Sequence, residues 1–593
     1  MDEKKLPARV AYIFDEKKRM ECNSEGFNFW DGYYEEIMDE LGITADYISN
    51  EKELGETLHS RDVILCGDMH ITKEIEKALF DWVRDGGILL GFRTRGLDEL
   101  FGIDVMEDLP QADDEYTING YIELKEERKN YLPLKDLSNV FLPVISPVLK
   151  IMAEDAEVIA SMHEPVLYVC EPICPAIIRR EIGNGQVFFY NFSLSQTQYV
   201  LHQGRPVDRD WDGDGYYRTA DGIVMTIAHD LSIPYADYHN LILQHIIDKK
   251  FVPSIYPLPP KEGQVTDLLL QYGGDDEGDT SGVQETASDW MKSRGLPYHI
   301  NIMERENGKE GFAVSPEQYK KIKANGHECS IHFNFVKVRT HYTRKEFDRQ
   351  LDLYEKWYGE TPLATVNHYM MTTGWVDQPR WSCQRGIKGD NNRSNGRFVP
   401  VSNPINTFSM GFGTMYPHFV YEDYAHNNRK LPYVYIPGSY YEPRIRRECH
   451  EHDVNLLHSI MDKAAENAWT ISCFYHPTYV VNDPECRAAI EEVLRYLDEK
   501  KHLAVHMGTD AICLWWNERS ESAIFNFLAS ENKTSMIVKA VGKAGIILRL
   551  PNCTLYGRCR IDGLDTPVVR REVSGRSCQL VVIPEGEHYV ELF

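Results

Sequence analysis

Adjacent carboxylates that close an apolar run are the first feature of this chain that could do chemistry. They sit in Leu269-Leu270-Gln271-Tyr272-Gly273-Gly274-Asp275-Asp276-Glu277-Gly278-Asp279. Neighbouring like charges repel unless a cation or a shared proton relieves them. Three further segments bring a histidine to the end of an apolar run: Gly326-His327-Glu328-Cys329-Ser330-Ile331-His332-Phe333-Asn334, Thr365-Val366-Asn367-His368-Tyr369 and Cys473-Phe474-Tyr475-His476-Pro477. Taken singly, an Asp-Asp pair is an ordinary acidic loop, and a strand-end histidine an ordinary hydrogen-bonded core residue. Their recurrence in one order, each closing a strand, points to a shared site. One carboxylate and two imidazoles suit a divalent ion of the Zn2+ type and leave open positions for water and a carbonyl oxygen. Such an ion makes water a better acid and polarises the carbonyl. An unligated carboxylate can then take the water's proton, and an imidazole can protonate the departing amine or alkoxide. That chemistry is hydrolysis of an amide or ester.

The elements that must position these residues alternate strand and helix from Val265 to about Asp510. Strands are expected at Leu268-Leu269-Leu270, Tyr298 to Ile302, Cys329 to Phe333, Ala364 to His368 and Ile471 to Tyr475. Between them, Phe347, Leu351 and Tyr354 recur at helical spacing, as do Ile490, Val493, Leu494 and Leu497. The latter helix has Asp483 at its cap and Pro484 at its first position. Repeated strand-helix units over this length predict a distorted β/α barrel, which carries its chemistry at the C-terminal ends of its strands.

Taken together, the four segments resemble the polysaccharide deacetylase (NodB-like) superfamily over residues 265 to 515. The resemblance implies that Asp275 is the general base, Asp276 and His332 are metal ligands, and His476 is the general acid. The family's usual second ligand histidine, four residues after the first, is replaced by Val336. A third ligand must then come from elsewhere, with His368 the first choice and His341 the second. The family's Arg-Pro-Pro segment is also absent. Gly386-Ile387-Lys388-Gly389-Asp390 stands in the segment after the next strand, where Asp390 could touch substrate. Removal of an acetyl group from a carbohydrate is the leading expectation. A hydrolase of a small non-sugar amide or ester is an alternative, and so is a carbohydrate-binding protein with a decayed site. Trp375, Trp381, Tyr416, Tyr440 and Tyr441 fall on the segments expected to overhang the site; Trp375 and Tyr440 are the candidate sugar-stacking faces.

Outside this region the sequence predicts two further domains, giving boundaries at 1–250, 251–515 and 516–593. The first ~100 residues alternate strands (Val10 to Phe14, Asp62 to Cys66, Ile88 to Phe92) with helices, the pattern of an open parallel flavodoxin-like sheet. Thr72 is expected to cap a helix whose buried face is Ile75, Leu79 and Val83. Residues 8 to 250 resemble the class I glutamine amidotransferase-like fold in a degenerate form. The turn that would carry its cysteine reads Gly91-Phe92-Arg93-Thr94-Arg95-Gly96, and Cys66 lies one strand too early. The resemblance therefore implies a structural or interface role, with self-association into a homo-oligomer. Pro257-Leu258-Pro259-Pro260 marks a stiff linker. After Trp515-Trp516, period-2 runs at Met536 to Val541, Gly545 to Leu550, Gln579 to Ile583 and Tyr589 to Leu592 predict a β-sandwich.

Asp210-Trp211-Asp212-Gly213-Asp214-Gly215-Tyr216-Tyr217-Arg218-Thr219-Ala220-Asp221 has carboxylates at calcium-loop positions 1, 3, 5 and 12 and glycine at 6, which makes it a candidate second ion site for Ca2+. Asp at position 12 in place of Glu, and flanks without strong helix periodicity, count against it, and Gln203-Gly204-Arg205 just before it suggests instead a loop that reaches across to the barrel. A formal charge of -27 argues against nucleic acid, anionic lipid or anionic polymer as partner. No apolar run approaches the ~20 residues that cross a bilayer. The charged start Met1-Asp2-Glu3-Lys4-Lys5 is not a secretory signal. Thirteen cysteines without CxxC spacing read as thiols of a reducing, cytoplasmic compartment.

Overall fold

The computed structural model describes residues 6–125, 140–166, 171–225, 229–305, 310–393, 406–530 and 533–593. Its central layer is a sheet of parallel strands, most of them rich in apolar or small residues, as suits strands covered on both faces. They are β1 (Leu268–Asp275), β2 (His299–Met303), β3 (Glu328–Phe333), β4 (Ala364–Asn367), β5 (Gly389–Arg393), β6 (Lys430–Pro437), β7 (Thr470–Phe474) and β8 (Ala504–Met507). The hydrogen-bonded order is β7-β1-β2-β3-β4-β5-β6, with β8 beside the first half of β1. The sheet curls, but among the described residues its ladder does not close into the expected barrel. One edge carries the antiparallel strand His418–Tyr421, and the other carries Tyr440–Tyr441 and Thr407–Phe408.

Helices Val283–Ser293, Pro316–Ala324, Arg344–Tyr358, His450–Asn467, Pro484–Lys500 and Thr509–Glu521 lie between or after these strands. Phe347, Leu351 and Tyr354 are buried on one helix, and Ile490, Val493 and Leu497 on another. Asp483 caps the latter, accepting from the amides of Glu485 and Cys486. Two close approaches align the C-terminal ends of β1 and β7. Tyr475 N donates to Gly273 O at 2.8 Å. Gly274 faces the Tyr475 carbonyl so closely that a Cβ there would sit 1.7 Å from its oxygen. Glycine at this position lets His476 stand beside Asp275.

The N-terminal residues build a nine-stranded sheet. Ala45–Ile48, Val10–Ile13, Val63–Cys66, Ile88–Phe92 and Gly185–Tyr190 run parallel in that order, and antiparallel strands extend the far side. Ile75, Leu79 and Val83 are buried on helix Lys73–Arg84. The Thr72 hydroxyl does not cap that helix; it bonds Glu51 instead.

The C-terminal residues build two further sheets. One is built from Ala523–Ser530, Lys533–Ala540, Gly586–Leu592, Cys559–Ile561 and Leu564–Thr566. The other joins Ile546–Pro551, Arg576–Ile583 and Val569–Val573 to Ser254–Ile255. The proline-rich segment is thus no free linker. It donates an edge strand, buries Tyr256 and Leu258, and its Pro257 carbonyl accepts from the Trp515 indole at 3.1 Å. Among the described residues no helix is long and apolar enough to cross a membrane.

Candidate active site

The strand ends of β1, β3 and β4 and the segment after β7 bring Asp275, His332, His368 and His476 into one cluster, with Glu277 at its centre. Glu277 Oε2 lies 2.8 Å from His368 Nε2, and its Oε1 lies 3.2 Å from His476 Nε2. Ligand-capable atoms of Glu277, His332 and His368 lie within 4.8 Å of one another, as do those of Asp275, Glu277 and His476.

Each group is set by its partners. His332 is fully buried, and its Nδ1–H donates to the Val366 carbonyl at 3.2 Å. That bond leaves Nε2 as the lone-pair nitrogen. It makes no hydrogen bond and lies 3.4 Å from Asp275 Oδ2. Burial, partly offset by the charges of Asp275 and Glu277, holds His332 below the usual imidazole range. A neutral imidazole aiming a lone pair at carboxylate oxygens is repelled unless a cation or proton stands between them. The donor set therefore fits a divalent ion.

Burial raises the Asp275 carboxyl, partly offset by His332, His476 and a hydrogen bond from Asn301. Asn301 Nδ2 donates to Asp275 Oδ1 at 2.8 Å, and Ser330 Oγ donates to Asn301 Oδ1 at 2.7 Å. Ser330 in turn meets His299 Nε2 at 2.8 Å, and His299 Nδ1 meets Glu328 at 2.8 Å.

His476 is gripped from the other side. Its Nδ1 and backbone N–H both meet Glu442 Oε1. Burial lowers the His476 pKa, but hydrogen bonds to Glu277 and Glu442 outweigh it and hold the imidazole well above its usual range. Glu277 shows the complementary effect. Burial raises its carboxyl, and hydrogen bonds from His368 and His476 overcome that and keep it well below the carboxylate range.

Glu277, Arg339, Tyr369, Met370 and Glu442 all have positive φ, between 48° and 65°. Left-handed backbone at non-glycine residues costs energy and gathers where side chains must be aimed. Exposed tyrosines flank the mouth: Tyr369 is 51% exposed beside His368, and Tyr479 is 39% exposed beside His476.

Other sequence-predicted residues lie elsewhere. Asp276, expected as a ligand, is engaged by its own loop, the end of β2 and Gln284. It accepts from the amides of Gly278 and Met303 at 2.9 Å, and burial raises its pKa to about 7. His327 bonds the Ser288 carbonyl. His341 lies against Thr373 and Tyr217 and outside the cluster, so the structure brings His368 rather than His341 to His332. Three expected substrate contacts are buried within the protein. Asp390 accepts from Tyr433 and Asn392, the Trp375 indole faces the Gln203 and Gly204 carbonyls, and Tyr440 packs on Phe408. Trp381 packs on Phe347, and Tyr416 donates to Asn467 O. Of the aromatic residues named from sequence, Tyr441 comes beside His476.

In the calcium-like loop Asp210, Asp212 and Asp221 do converge. Arg218, however, pairs with Asp212 and Asp214, and loop amides donate to Asp210 and Asp221.

Glu277 and Glu442 are the site residues that sequence reasoning missed. Glu277 follows Asp275-Asp276 directly, so the signal was a third carboxylate in the same loop. Glu442 had no local signal, because only the fold brings it to His476.

No family model matches the chain, and no curated protein matches it. Among solved structures it is similar to Puue allantoinase at 13% identity, covering 49% of this chain and 98% of that one with a TM-score of 0.31. A putative polysaccharide deacetylase from Mycobacterium smegmatis is similar at 13% identity, over 44% of this chain and 94% of that one, with a TM-score of 0.30. A beta-galactosidase from Bacillus circulans sp. alkalophilus is similar at 19% identity over 32% of this chain, with a TM-score of 0.27. The chain spans 29% of that galactosidase's length. These neighbours are hydrolases, and the likeness to each is partial and weak.

Proposed function

We propose that the protein is a metal-dependent hydrolase that removes an acetyl or similar acyl group from a carbohydrate. The observation that carries the reading is the bare Nε2 of fully buried His332, aimed at the Asp275 carboxylate beside Glu277 and His368. Glu277, His332 and His368 would hold a divalent ion of the Zn2+ class. When bound, that ion supplies Lewis acidity at the acyl carbonyl and at water. The ligand role expected of Asp276 passes to Glu277 in this reading, because the Asp276 carboxylate is already engaged by the amides of Gly278 and Met303 and by Gln284.

Asp275 serves as the base. Asn301 fixes its Oδ1, which leaves Oδ2 facing the cluster to take the proton of the attacking water. His476 is the acid. Glu442 on Nδ1 keeps the ring charged and turned, so that Nε2 can deliver a proton to the departing amine or alkoxide. Tyr369 and Tyr479 offer exposed faces on which a sugar ring can stack.

The test is elemental analysis of the purified protein together with acetate release from acetylated saccharides. About one equivalent of a divalent metal is expected, lost together with activity in Glu277→Ala and His332→Ala and kept in Asp276→Asn. A protein that takes up no metal from excess would sink the reading.

A further inference from the structure

The loop 205–221 follows helix Leu194–Gln203 of the N-terminal sheet and crosses to the segment that presents His368. Its contacts there are both main-chain and side-chain ones. Val207 N donates to Gly374 O at 2.9 Å, and Val207 and Gly374 form an antiparallel bridge. Arg218 bridges Met371 in the same way, and Thr372 N donates to Tyr217 O at 3.0 Å. Tyr217 N reaches the carbonyl of Arg339 at 2.8 Å, and Thr219 Oγ1 that of Asn392 at 2.7 Å. Tyr216 places its ring 5.4 Å from that of Tyr369.

The segment so gripped is costly to hold. Tyr369 and Met370 follow His368 directly, with φ of 59° and 52°. Two successive non-glycine residues in the left-handed region persist only where their surroundings enforce them. On the inner side, Asn367 Nδ2 donates to Met371 O at 2.7 Å. On the outer side the enforcement comes from the loop. Arg218 keeps the loop in shape by pairing with Asp212 and Asp214, while Asp221 accepts from the amides of Trp211 and Arg218.

We propose that the loop 205–221 is a brace that positions His368 for metal, so that the N-terminal part of the chain completes the active site. This rests on the reading of His368 as a metal ligand. Arg218 and Tyr216 are positioning residues: they touch neither the metal nor the substrate. The acidic residues of the loop then serve to fold it around Arg218. Groups that hold a metal ligand in orientation are worth about 10- to 100-fold in metal affinity when lost.

The experiment uses the full chain stripped with a chelator and titrated with Co2+. The visible absorption of imidazole-ligated Co2+ separates this site from all-oxygen binding at the acidic loop. In Arg218→Ala, Kd is expected to rise about tenfold or more, with one equivalent still bound at saturation and the metal-free unfolding temperature little changed. Arg218→Lys should recover part of the affinity. An Arg218→Ala Kd equal to that of the parent protein overturns the brace alone. Where that variant does not fold, Tyr216→Ala decides in the same way, with weaker Co2+ binding expected and parental binding overturning the proposal. A parent protein that shows no imidazole-ligated Co2+ overturns the metal reading and the brace together.

Discussion

Asp275 stands at the end of a buried hydrogen-bonded row that begins at a helix terminus. Glu328 accepts from the amides of Asp510 and Ala511, and His299, Ser330 and Asn301 follow in turn. Ser330 can donate to Asn301 Oδ1 only while the amide NH2 faces Asp275. Removing that hydroxyl frees the amide to rotate and to offer its oxygen to the carboxylate. Ser330→Ala is expected to lower kcat of the proposed reaction about tenfold, a fraction of the roughly 100- to 10,000-fold that a positioned base contributes, with KM nearly unchanged; steady-state kinetics would show it. Asp275→Asn should keep its metal and lose turnover about 100-fold or more, so metal content and rate should part company in that variant. Residues of this kind differ in how far the sequence announces them. Asp275, His332, His368 and His476 each close an apolar run and could be read from spacing. Which carboxylate of Asp275-Asp276-Glu277 faces the histidines could not, because a single left-handed residue at Glu277 decides it. Glu442 lies 34 positions from His476, a pairing that only tertiary structure creates.

The strands and helices that carry the site were legible because their periodicity is strong. β2, β3, β4 and β7 each begin or end within one residue of the expected runs. Closure of the sheet was not legible, since it depends on how the edges meet rather than on any one strand. The role of Gly508 was hidden for a related reason. It precedes helix Thr509–Glu521 and lies against Glu328, which reaches from β3 to cap that helix. A Cβ at 508 would sit 2.1 Å from Glu328 Oε2 and 2.4 Å from its Cδ. Gly508→Ala must therefore push Glu328 off the two amides. The expected cost is about 1–3 kcal/mol, seen as a lower denaturant midpoint at unchanged m-value. An unchanged midpoint would mean that Glu328 swings aside freely and that its cap contributes little.

At the scale of the whole molecule, the N-terminal sheet, the curled sheet and the C-terminal sheets share one apolar core. Buried acids sit where they meet. Arg519 ties the junction by donating to the carbonyls of Glu40, Ile255 and Tyr256. Beside it, Glu36, Glu40 and Asp237 are nearly inaccessible to solvent. Burial, with the charge of Asp237 added, pushes Glu40 up to about 8, and burial raises Asp237 to about 7. Glu36 is raised well above the carboxylate range by the same burial, only partly offset by Lys430. The folded protein thus binds these protons more tightly than the unfolded chain, whose carboxyls titrate near 4. The resulting stability is fully present below about pH 4 and is lost as pH rises through about 7 and 8. Other carboxylates, such as Asp453 held near 2 by Arg446 against the effect of burial, work in the opposite sense only in strong acid. Between pH 6 and 9 the junction acids act together with Asp276 and Asp510, which burial also raises to about 7, and the unfolding temperature should fall across that range. Glu40→Gln keeps the hydrogen bond from Asn240 without a charge to bury, so its unfolding temperature should fall less steeply. Parallel slopes for the parent protein and Glu40→Gln would show that the junction does not hold Glu40 protonated.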